Sequence, residues 1–183
     1  MPGYTAIADT GEKIVKILKE ILVPEMIQTP EGIGMCSPQE KEGIVLGVFL
    51  YDIQEHGEVQ MRAMVNVSPS KQVFPPVHLS LYYMITPYFE GNVKFRSEQE
   101  QRTLGRIIQY FHDHPLFPGE DRLQIQLLRA STEDKVKLWN FGSQPYRASL
   151  FYKVSPVRID SARSRAVERV RAFGVKVERR EGV

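Results

Sequence analysis

The chain has 183 residues, 24 basic against 22 acidic, for a net charge of +2, and one cysteine, Cys36. That length buries roughly 70 % of the unfolded surface, so one domain folds without staples, and a lone thiol excludes an internal disulfide and a cysteine zinc site. The near-neutral balance selects no partner class, the opening MPGYTAIADT lacks the pattern of a secretory signal, and no apolar run approaches the ~20 residues that span a bilayer.

A reducing cytoplasm is the expected place of synthesis, with no membrane partner. Ile14, Ile17, Leu18, Ile21 and Leu22 recur at helical spacing, which predicts a first helix ending before Pro24. Asp9 with Glu12 suggests a capping box at its start. A short strand is expected at residues 33–36, and the β-branched run GIVLGVFLYDI at residues 43–53 reads as a buried strand. Residues 59–67 suit a weaker strand or a loop. The prolines of SPSKQVFPP argue against a central strand at residues 68–76. VHLSLYYMIT, residues 77–86, alternates like a strand with one buried and one amphipathic face.

Ser97 with Glu100 predicts the cap of a second helix, with Leu104, Ile107, Ile108 and Phe111 as its buried stripe. LQIQLLR at residues 123–129 alternates like a strand. STEDKVKLWN at residues 131–140 suits a short helix that turns Val136 and Trp139 inward, and residues 146–160 form the last clear strand. The mixed order predicts an α+β fold: a mixed β-sheet packed by two main helices and one short helix.

His112 and His114 form the one conspicuous chemical motif, and a metal-dependent hydrolase built on them is one reading. Residues two apart on a helix point ~200° from each other. Pro115 disfavours helical backbone at His114, and a zinc site needs more ligands than the pair offers. A helix end is the simpler reading, because histidine there bonds free carbonyls and complements the dipole. Dinucleotide, Walker, nucleophile-elbow and zincin motifs are absent, so nothing calls for a cofactor or a catalytic residue. Cys36 has no implied base and reads as a small packed thiol.

From Arg158 onward, basic residues (Arg163, Arg165, Arg169, Arg171, Lys176, Arg179, Arg180) outnumber Asp160, Glu168, Glu178 and Glu181, leaving the rest of the chain slightly acidic. Such a tail can track a nucleic-acid backbone. The interrupting glutamates and the lack of stacking aromatics argue against it. Phe173, Val175 and Val177 alternate as in a strand that adds to a sheet edge. The expected division is residues 1–161 as an α+β domain and residues 162–183 as a basic C-terminal arm.

Taken in order, several stretches resemble one family. They are IADTGEKIVKIL, GIVLGVFLYDI, VHLSLYYMITPY, TLGRIIQYFHDHPLF, LQIQLL and STEDKVKLWNFGSQPYRASLFYKVSPVRIDS. The family is that of the tail-terminator, or cap, proteins of phage-tail-like contractile injection systems. The resemblance covers residues 6–161. It implies a fold similar to contractile-phage tail terminators and a structural role without catalysis or cofactor. It also implies a six-fold homo-oligomeric ring that ends the inner tube and joins the last sheath ring, so sister subunits, tube and sheath are the partners it suggests. Residues 55–73 are less like the family pattern, and nothing beyond Ser161 matches a motif. The contacts expected from exposed loops and termini are Phe74, Pro75 and Pro76, with Arg163, Arg165, Arg169, Arg171, Phe173, Val175 and Val177 of the arm.

Overall fold

The structure is a computed structural model, and it describes residues 3–57, 63–139 and 145–166. Helix α1, Ala6–Leu22, buries Ile14, Ile17, Leu18 and Leu22, as the spacing predicts. It starts a turn before the expected capping box: Thr5 is the N-cap, and its hydroxyl donates to Asp9 at 2.9 Å, so Asp9 lies inside the first turn.

Five strands form the main sheet. They are β1 (Ile33–Met35), β2 (Leu46–Glu55), β5 (Val77–Pro87), β6 (Gln124–Leu127) and β7 (Leu150–Ile159), in the order β1-β2-β5-β7-β6. β1 runs parallel to β2 and the other pairings are antiparallel. Helix α1 and α2 (Val93–Asp113) cover one face, where Ile14, Leu18, Leu81, Tyr83, Ile107 and Tyr152 share a core. On the other face the short α3 (Thr132–Trp139) brings Trp139 onto Met84, Tyr88 and Phe151. Each such fully buried side chain contributes about 1.5–3 kcal/mol.

The second face of β5 is amphipathic, as the alternation predicts: His78 and Tyr82 are half-buried, while Ser80, Met84 and Thr86 are buried along with Leu81, Tyr83 and Ile85 of the core face. The buried part lies where the strand is flanked on both sides and packed above and below.

Helix α2 also starts early. Asn92 caps it by accepting the Lys94 N–H at 3.0 Å, while Glu100 of the expected box instead holds Arg147 at 3.0 Å. The buried line is Thr103, Ile107 and Phe111, one residue every four, and Ile108 stands 38 % exposed. In α3 Trp139 is buried and Val136 is exposed, against the expectation that both face inward, and the Lys135 ammonium lies 5.9 Å from the Phe151 ring centroid. Residues 146–149, expected in the last strand, are irregular.

A second sheet has three strands, β3 (Val65–Ser68), β4 (Lys71–Val73) and β8 (Ser164–Ala166), with β4 in the middle. This overturns the exclusion of a central strand from residues 68–76. Pro69, Pro75 and Pro76 flank the three strand residues, so every ladder N–H of Lys71, Gln72 and Val73 survives.

Candidate interaction surface

The second sheet is an extension of the first. β4 leads through Phe74, Pro75 and Pro76 into β5, and β7 leads through residues 160–163 into β8. The β5–β7 ladder, whose end pair is Val77 with Ile159, resumes as the β4–β8 ladder, where Val73 faces Ser164. The two prolines interrupt it because neither has an N–H to donate. Between the ladders the Phe74 N–H donates to the Arg163 carbonyl at 3.0 Å, and the Arg163 guanidinium lies 5.8 Å from the Phe74 ring centroid. Two contact candidates far apart in sequence are thus one structural unit.

Phe74, Pro75 and Pro76 are half-buried rather than fully exposed. They line a cavity of about 230 Å³ with Glu55, His56, Val77 and His78. His56 is fixed there, its N–H donating to the His78 carbonyl at 2.7 Å and its Nδ1 lying 3.0 Å from the Ser80 hydroxyl.

Cross-strand register sorts the projecting sheet into two faces. Asn66, Gln72 and Arg165 stand opposite one another, with the Gln72 amide donating to Asn66 at 3.0 Å. Val65, Val73 and Ser164 form the next row. Every strand residue except Gln72 and Val73 is exposed, including Val65 at 53 % and Val67 at 60 %. Lys71, Arg163 and Arg165 are exposed too, and residues 63–76 and 161–166 contain no acid. Asp160, just outside, is taken by Arg158 at 2.7 Å. A small sheet with exposed valines, basic side chains, no acid on its own strands and no packed layer among the described residues has the character of a docking surface. Arg169, Arg171, Phe173, Val175 and Val177 lie outside the described residues.

The histidine pair is a helix end. Asp113 closes α2, and the His114 N–H donates to the Tyr110 carbonyl at 2.9 Å. The His114 ring stacks on Tyr110 at 4.6 Å between centroids, with Nδ1 3.1 Å from the same carbonyl. That contact commits Nδ1 as a donor, leaving only Nε2 with a free lone pair. Among the described residues no three His, Cys, Asp or Glu side chains converge to hold a metal.

Environment moves the remaining chemical groups away from reactivity. Burial, and then Glu40, pushes the Cys36 thiol up, which disfavours the thiolate. Burial pushes Tyr51 and Tyr88 up to about 12, and raises Tyr83 and Tyr152 as well. These are packing tyrosines held as neutral phenols. Tyr88 lies between cations, with the Lys41 ammonium 4.9 Å and the Arg147 guanidinium 5.8 Å from its ring centroid. Trp139 is buried with its ring centroid 6.3 Å from that of the exposed Tyr146.

Sequence reasoning missed the opposite end of the molecule. Glu25, Glu31, Glu40, Glu42 and Glu90 are exposed on separate loops, and only the fold gathers them around the start of β2 and the end of β5. The clue available was that residues 24–45 and 87–92 contain a single cation, Lys41.

A family model described as the Pvc16 N-terminal domain matches residues 13–172. The search of curated proteins finds no match. Among solved structures, the fold is similar to the sheath/tube terminator, in the extended state, of PVC, an extracellular contractile injection system. The TM-score is 0.69 at 19 % identity, over 100 % of this chain and 66 % of that one. It is also similar to the tube-terminating cap of the anti-feeding prophage AFP, with a TM-score of 0.63 at 20 % identity, over 93 % of this chain and 61 % of that one. The α+β architecture expected from sequence is therefore the terminator fold, and this chain spans under two thirds of the length of either structure.

Proposed function

The chain belongs to the Pvc16 N-terminal domain family, and from that membership we propose that it is a structural cap, which ends the inner tube and joins the last sheath ring of a contractile injection particle. The observation that carries the reading is the likeness in fold, along the whole chain, to a sheath/tube terminator. Its mode of action follows from polymer geometry. A tube is a stack of rings joined through heterologous, open-ended interfaces. Growth stops when a component binds the last ring without offering the same surface again. A cap therefore needs two unlike faces and no turnover chemistry. The hydrolase alternative finds no support among the described residues, where no three His, Cys, Asp or Glu side chains converge to hold a metal.

In this reading the chain acts as a ring of identical subunits, six by family resemblance, with tube and sheath proteins as partners. Residues 162–183 serve as an arm whose Phe173, Val175 and Val177 add a strand to a neighbouring sheet edge, backbone hydrogen bonds giving affinity and the arginines matching charge. The test is electron microscopy of purified particles. A labelled chain sits at one end, its loss gives particles of uncontrolled length, and deletion of residues 164–183 lowers its retention. Label spread along the particle, or a normal length distribution without the chain, overturns the cap.

A further inference from the structure

The loops at one end of the long strands are mainly acidic and the sheet projecting beyond the other end is basic, although Glu55 is exposed at the base of that sheet and Lys94 is exposed four residues past Glu90. In the β2–β5 ladder Leu46 pairs with Pro87 at one end and Glu55 with Leu79 at the other, a span of roughly 30 Å at strand rise. The projecting sheet extends beyond the second end, with Lys71, Arg163 and Arg165 exposed and no acid on its strands. At the first end the loops expose Glu25, Glu31, Glu40, Glu42 and Glu90. Their one cation, Lys41, is engaged over the Tyr88 ring. Glu40 accepts a bond from the Ser37 hydroxyl at 3.2 Å, and no ion pair joins Glu42 or Glu90 to a described residue.

We propose that the basic projecting sheet of one copy docks on the acidic loop end of a second copy of this chain. The occupant follows from charge complementarity: each copy carries both halves of the match, at opposite ends. Each half leaves its mate unused on the same molecule, so the interface is heterologous and propagates from copy to copy, closing when the rotation between neighbours divides a circle. The exposed Val65, on the face of the sheet that carries Lys71, supplies an apolar part of the contact. Steering by opposite charges sets the register and speeds encounter. This inference rests on the cap reading and deepens it by assigning the sheet to the sister subunit rather than to tube or sheath.

Charge reversal tests it with the full chain. One variant carries Lys71→Glu, Arg163→Glu and Arg165→Glu. The other carries Glu40→Lys, Glu42→Lys and Glu90→Lys. Circular dichroism verifies that both fold, and sedimentation velocity reads assembly. Wild-type protein forms assemblies at low salt that dissociate in ~1 M salt, where the screening length is about 3 Å. Each variant alone is monomeric, because both of its ends then have one sign. An equimolar mixture of the two variants regains the assemblies, since each offers what the other lacks. Either variant assembling like wild type overturns the proposal, and so does a mixture that stays monomeric. A wild-type monomer that retains duplex DNA through the three basic residues also overturns it, by giving the sheet to nucleic acid. Particle microscopy separates the two readings. A chain found at the particle end whose two ends do not associate refutes this interface alone, whereas charge-dependent assembly by a chain never found at particle ends refutes the cap alone.

Discussion

Arg163 holds Phe74 in two ways: its carbonyl accepts the Phe74 N–H at 3.0 Å and its guanidinium lies 5.8 Å from the Phe74 ring. The bond bridges the gap that Pro75 and Pro76 leave between the two ladders, and the ring contact adds about 0.5–1 kcal/mol at an exposed site. In Arg163→Ala the backbone bond remains and the ring contact goes. The expected result is an unchanged global melting temperature with faster hydrogen exchange at the Phe74 amide. Equal exchange in both proteins would show that the side chain contributes nothing to the junction.

Gly47 in β2 is required by what stands beside it. A Cβ there would lie 2.7 Å from the Cys36 sulfur and 2.9 Å from the Tyr88 ring. Tyr88 is buried and sits between two cations, so it cannot yield cheaply. Gly47→Ala is expected to destabilise the fold by about 1–3 kcal/mol, as overpacking does. Urea unfolding measures it. Adding Cys36→Ala should return part of the loss, a coupling that a double-mutant cycle resolves.

Thr103 predicts the opposite sign. Its hydroxyl is fully buried on the sheet-facing side of α2 and has no hydrogen-bond partner among the described residues. An unsatisfied buried polar group costs about 1–3 kcal/mol. Thr103→Val keeps the shape and removes the hydroxyl, so the melting temperature should rise by roughly 2–4 °C per kcal/mol regained. A fall would mean that the hydroxyl has a partner in solution.

The tyrosines set an alkaline limit. Tyr51 and Tyr88 lose their protons at about 12 in the folded chain, against an ordinary 10.0. Between those values the unfolded chain releases protons that the folded chain keeps, so stability falls as pH rises. Below pH ~10 the contribution is fully present. Unfolding free energies measured on either side of that point should decline, and the decline should be shallower in Tyr88→Phe. In the native protein, tyrosinate absorbance should lag behind that of the unfolded chain.

The sequence is most legible where the pattern is local and the packing simple. The stripe Ile14, Leu18 and Leu22 places α1, and Pro115 places the end of α2 at the histidines. Local pattern misleads where two local solutions compete. Ser97 with Glu100 has the spacing of a cap, yet Asn92 caps the helix because Glu100 is drawn to Arg147, a residue from another part of the chain. Prolines around residues 71–73 look like a veto on a strand, but a veto applies only to the residues that must donate. The candidate surface was half legible. Phe74 and Arg163 are each readable as exposed or basic, while their pairing is a long-range fact with no local trace. The acidic end is less visible still, because its glutamates sit on separate loops that only the strand register brings together.

The run of β4 into β5 and of β7 into β8 has a mechanical consequence. A pull on the tip of the projection is transmitted lengthwise into β5 and β7. There it meets the ladders that tie β5 to β2 and β7 to β6. These resist by sliding as a whole, many bonds strained together, rather than peeling apart one rung at a time. A tether anchored in this way bears tension well, and its weakest link under load is the proline-interrupted junction where Arg163 clasps Phe74.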